Sequence, residues 1–80
     1  MINELIKLFE KMQTIKQSMI LDIYFDKVED WWIEFTWRDK NITFSSQNAN
    51  ITIASIEMIK MLIDLCNDYE ELQDIPVNVL

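Results

Sequence analysis

The stretch Trp31-Trp32-Ile33-Glu34-Phe35-Thr36-Trp37-Arg38 decides how this chain is read. Trp31, Ile33, Phe35 and Trp37 alternate with Trp32, Glu34, Thr36 and Arg38, a period of two that sends the first set to one face of a strand. Aromatic and β-branched residues dominate it, as a pleated and half-buried surface requires. The same alternation precedes it over 19–26, where Leu21, Ile23 and Phe25 are set against Asp22, Tyr24 and Asp26. It follows over 41–46, with Ile42 and Phe44 against Thr43 and Ser45. Three such segments joined by short polar turns specify an antiparallel meander. Ile51 and Ile53 add either a short fourth strand or an extended lead-in.

Outside the meander the period becomes 3.6. Ile2, Leu5, Ile6, Leu8, Phe9, Met12 and Ile15 recur at helical spacing with Asn3 as N-cap, while Glu4, Lys7, Lys11 and Thr14 fall opposite. Lys16 turns back into the apolar arc and ends that helix. A second helix is expected from Ser55, its N-cap, to about Gln73. The expected fold class is α+β: one domain over residues 1–80 in the order α-β-β-β-α, with both helices on one face of the sheet. Glycine is absent, so turns that need positive φ fall to Asn or Asp at 26–30, 38–41 and 47–50. Pro76 stops whatever helix precedes it, and Val77-Asn78-Val79-Leu80 alternates like an extra strand.

Composition narrows the function. Eighty residues, half of them hydrophobic and 26% charged, make one small globular domain. With one cysteine and no histidine, an internal disulfide, the usual zinc and haem sites and histidine general-base catalysis are all excluded. No apolar run is long enough for a transmembrane span or a signal peptide. Cys66 lies on an apolar helical stripe, and a lone buried thiol fits a reducing cytoplasm. No cofactor, metal or catalytic residue is expected: Ser45, Ser46, Ser55 and Thr43 lack a histidine to activate them. Asp26, Glu29 and Asp30 match no EF-hand spacing.

The net charge of −7 is uneven. Residues 55–80 hold Glu57, Asp64, Asp68, Glu70, Glu71 and Asp74 against Lys60 alone. The order α-β-β-β-α resembles that of double-stranded RNA-binding domains, which open their last helix with a lysine cluster to grip phosphates. Here Ser55-Ile56-Glu57-Met58-Ile59-Lys60 offers one lysine beside a glutamate, and the resemblance stops at element order. Phosphate attraction dominates nucleic-acid affinity, so direct binding to nucleic acid is not expected, nor is binding to anionic membranes.

Three surfaces remain as candidates. Ile56, Ile59, Ile63 and Cys66 form one stripe of the second helix, and Met58, Leu62, Leu65, Tyr69 and Leu72 form another. Either both pack internally, on the sheet and the first helix, or the Met58 side, with Met61 at its margin, meets another chain. Glu57, Asp64, Asp68 and Glu71 share the remaining face, as a row that imitates a phosphate backbone or as a solvated face that keeps the domain soluble. Tyr24 and Trp32, with Asp22, Glu34, Thr36 and Arg38, stand on the sheet face away from the helices, either as a binding hot spot or beneath the C-terminal tail.

A short, acidic, glycine-free chain without catalytic equipment resembles small phage-encoded inhibitors, anti-CRISPR proteins among them, in general character and through no motif. The expected function is a non-enzymatic inhibitor that binds a protein partner, a basic nucleic-acid-binding protein being the one that fits the acids, in the cytoplasm of the host if phage-encoded. The alternative is a structural or adaptor subunit that forms a homodimer through the second helix and sheet face.

Overall fold

The computed structural model describes residues 1–26 and 29–75. Helix α1 spans Ile2–Ile15, strands β1, β2 and β3 span Met19–Phe25, Trp31–Trp37 and Ile42–Asn48, and helix α2 spans Ile51–Asp68. Short 3-10 turns follow at Arg38–Lys40 and Glu70–Leu72. The expected α-β-β-β-α order holds. The three strands pair antiparallel in the order β1-β2-β3. Ile33 stands opposite Ile23 and Ser46, Phe35 opposite Leu21 and Phe44, and Trp37 opposite Met19 and Ile42. The apolar positions expected on the inner face lie in or against the core except Phe25 and Trp31, which pair at the end of the sheet and leave Phe25 53% exposed.

Both helices lie on that face, α2 against β2 and β3, and α1 against α2 and β1. The ring of Phe9 meets Phe35 edge-on, with centroids 6.3 Å apart. Leu5, Leu8 and Met12 from α1 join Met58, Leu62 and Leu65 from α2 in the buried core. The Ser46 hydroxyl, also buried, donates to the Ala54 carbonyl at 2.8 Å and fixes α2 to β3. Such a bond keeps a buried hydroxyl from costing the desolvation penalty of an unmet polar group.

Several boundaries differ from expectation. Helix α2 begins at Ile51, four residues before Ser55, because the Asn50 side chain accepts from the backbone N–H groups of Thr52 at 2.8 Å and Ile53 at 3.4 Å. An asparagine satisfying first-turn donors outweighs three residues of strand-like alternation. Ile51 and Ile53 are therefore helical, the sheet has no fourth strand among the described residues, and Ser55 donates back to the Ile51 carbonyl at 2.8 Å. Helix α1 starts at Ile2, so Asn3 lies within it and Met1 holds the cap position. Strand β3 runs on to Asn48, since the seven residues of β2 offer Gln47 and Asn48 partners in Trp32 and Trp31. Strands β1 and β2 stop one residue earlier than read, at Phe25 and Trp37. Among the described residues positive φ occurs at Asn41, as expected for a glycine-free chain, and at Glu29, which is outside that expectation. The strand read over residues 77–80 lies outside the described residues.

Helix α2 also ends early, at Asp68, where Tyr69 adopts an extended conformation (φ −117°, ψ 121°). Its ring packs on Trp37 at 5.2 Å. Leu72 then closes over the core from the following turn rather than from the helix.

The two apolar stripes of α2 are both used internally. Met58 is fully buried (0% exposed) and Met61 is half-buried against the core, because α1 covers one flank of α2 and the sheet the other. Met58 is thus not available to another chain. Met58→Ala should lower stability by about 2–5 kcal/mol, as truncation of a buried methionine does, measured by denaturant unfolding. A loss below about 0.5 kcal/mol, the usual size for a surface change, would return Met58 to the surface.

Candidate binding surfaces

The face of the sheet away from the helices carries Ile20, Asp22 and Tyr24 from β1, Trp32, Glu34 and Thr36 from β2, and Thr43, Ser45 and Gln47 from β3. These are the second members of each alternating pair, so one register fixes both faces. No described helix covers them, and Tyr24 is 44% exposed. Tyr24 and Trp32 stand directly opposite each other on β1 and β2, their rings parallel to within 3° and their centroids 6.3 Å apart. The structure therefore brings the two aromatic candidates together into one pair.

Two acids of the β1–β2 turn hold this arrangement. The indole Nε1–H of Trp32 donates to the Asp26 carboxylate. The Asp30 backbone N–H donates to the same carboxylate at 3.3 Å, and Gln47 Nε2 donates to Asp30 at 2.5 Å. Asp26 and Asp30 thus serve as hydrogen-bond acceptors that orient side chains on the open face. Strand periodicity gave no sign of this role, since it depends on how the turn folds back over the strand ends. Among the described residues no group of three His, Cys, Asp or Glu side chains is placed to hold a metal ion.

Asp22 and Glu34 are paired in register on the same face, one step along from the aromatic pair. Like charges directly opposite destabilise a sheet. Neither meets a lysine or arginine within ion-pair distance among the described residues. Arg38, expected beside them, sits instead in the 3-10 turn after β2, where its backbone N–H donates to the Ser18 carbonyl at 3.2 Å.

The acidic face of α2 is narrower than its sequence implies. Glu57, Asp64 and Asp68 are exposed, but Lys60 lies between the first two at helical spacing. Glu71 leaves the row altogether, because the helix has ended and its carboxylate bridges Lys16 at 3.4 Å and Lys40 at 3.3 Å. Burial raises the Glu71 carboxyl, but its hydrogen bonds and attraction to Lys40 and Lys16 outweigh that and hold it below the usual range. Lys40 also lies 5.7 Å above the rings of Trp37 and Tyr69. Glu71 therefore ties α1, the turn after β2 and the end of α2 together, a structural role instead of a place in the acidic row.

Comparison with protein-family models, with curated proteins and with solved structures gives no match.

Cys66 is buried in the core, and that burial pushes its thiol from an ordinary 9.0 up to about 11. The thiolate is the reactive form, so native protein should label slowly with a thiol reagent at neutral pH and fully only in denaturant. Because the folded state holds this proton more tightly than the unfolded chain, its contribution to stability is constant below pH 9 and declines between about 9 and 11. Denaturation midpoints across that range should fall more steeply for the parent than for Cys66→Ala. Rapid native labelling, or identical pH profiles, would contradict the core placement.

Proposed function

We propose that this chain is a small, acidic, non-enzymatic protein that binds a basic protein partner and inhibits it by occupying the groove that partner uses for nucleic acid. The observation that carries this reading is the set of exposed or half-exposed carboxylates Asp22, Glu34, Glu57, Asp64 and Asp68, none of which meets a cation among the described residues. Unneutralised like charge costs a compact domain stability through self-repulsion. A partner rich in Lys and Arg supplies the missing counter-charges, steers association over long range and disfavours wrong partners. Phosphates and these carboxylates then compete for the same cations. The setting proposed for this is the cytoplasm of a host cell, with the protein phage-encoded.

A second reading, self-association, rests on a different observation. Phe25 (53% exposed), Ile53 and Met1 lie at the end of the fold where β1 finishes and both helices begin. These apolar side chains replace the Met58 side of α2 as the surface for a homodimer.

Tagged protein should capture a basic partner at low salt and release it as ionic strength rises toward about 0.5 M, where screening leaves a Debye length of only a few ångströms. The captured partner should then lose a labelled nucleic acid in proportion to the inhibitor added. A ternary complex of partner, nucleic acid and this protein contradicts the occupied-groove reading. If light scattering finds a dimer and no basic partner is captured, self-association takes its place.

A further inference from the structure

We propose that the sheet face away from the helices is the docking site for an extended, arginine-bearing segment of the basic partner, one guanidinium sitting at the Asp22 and Glu34 carboxylates and against the Tyr24–Trp32 pair. This rests on the basic-partner reading above and adds where the partner sits and which side chain it presents.

Four observations converge on this face. Among the described residues no element packs over it, both helices lying on the opposite side of the sheet. Asp22 and Glu34 face each other in register without a cation between them, an arrangement that a bound cation would relieve. The parallel rings of Tyr24 and Trp32 stand next along the same strands, about 6–7 Å away at strand spacing. Trp32 is held in place by Asp26, so the aromatic surface is set before a partner arrives.

The chemistry selects arginine over lysine. A guanidinium presents planar, forked donors to two carboxylates and stacks on an aromatic face with the same group. An ammonium is a strongly hydrated point charge and gains less from the rings. The α2 face lacks this combination: Tyr69, next to Asp68 in the chain, packs on Trp37 instead, and Lys60 lies between Glu57 and Asp64. The size fits as well: seven-residue strands span about 23 Å, room for a segment of about six extended residues, which covers about 20 Å.

Isotope-labelled protein titrated with hexa-arginine and with hexa-lysine, both at about 20 mM salt to limit screening, tests the idea by amide and indole NMR shifts. Hexa-arginine should move Asp22, Tyr24, Glu34, Ser45 and the Trp32 indole signal, and should bind about two- to fivefold more tightly than hexa-lysine, the gain expected of an exposed cation–π contact. Tyr24→Ser should erase that preference. Asp22→Asn with Glu34→Gln should weaken hexa-arginine about fivefold, as losing two exposed charge pairs does, while raising the thermal midpoint because the like-charge opposition is gone. Shifts confined to Glu57, Asp64 and Asp68 would overturn the sheet site and leave the basic-partner reading standing. Equal binding of both peptides, unaffected by Tyr24→Ser, would reduce the effect to bulk charge and overturn the site. Failure of both peptides to bind at low salt would overturn the site and the basic-partner reading together.

Discussion

The register of β2 is the constraint on which the rest depends. With Ile33, Phe35 and Trp37 turned inward, three large side chains are buried, each worth about 1.5–3 kcal/mol relative to exposure. A slip by one residue would expose them and bury Trp32, Glu34 and Thr36. Burying the Glu34 carboxylate without a partner would add several kcal/mol of desolvation cost. Both terms favour the observed register, and no intermediate one exists at a period of two. Strands β1 and β3, the helices above them and the aromatic pair below all take their positions from it.

Much of this was legible in the chain because period-two alternation and period-3.6 recurrence report which side chains leave water. Leu21, Ile23, Ile33, Phe35, Ile42 and Phe44 all face the helices as their alternation implies. What could not be read was decided by single hydrogen bonds or contacts. Ile51-Thr52-Ile53 alternates like a strand, yet the Asn50 cap makes it helix. The spacing of Tyr69 and Leu72 continues a helical stripe, yet packing of Tyr69 on Trp37 breaks the helix and carries Glu71 to Lys16 and Lys40. The stripe holding Met58 looked wide enough for a partner because a sequence does not show how much of a helix its neighbours cover.

The same distinction separates the candidate site residues. Tyr24 and Trp32 were placed by alternation, and the structure puts their rings side by side. Glu57, Asp64 and Asp68 were placed by helical period and remain exposed on one face. Glu71 and Met58 were lost to structural duties, one as an ion-pair tie and one as core. The opposed Asp22 and Glu34, and the orienting acids Asp26 and Asp30, became visible only when the strands were aligned. Protein stability alone gives no reason to set two acids opposite each other on an open face. The basic partner proposed above would supply one.

Both faces of the sheet are set by how β2 divides its tryptophans between them. Three variants, each keeping one tryptophan and replacing the other two with phenylalanine, allow each site to be read by acrylamide quenching of fluorescence, a neutral probe insensitive to the net charge. The register described here places Trp37 at 0% exposure and leaves Trp32 reachable from the open face. Trp37 should therefore resist quenching until the protein unfolds, while Trp32 quenches readily in the folded state. Quenching of native Trp37 as efficient as that of Trp32, or a shielded Trp32, would mean that the strand presents its other face, and the open aromatic and acidic surface would not exist.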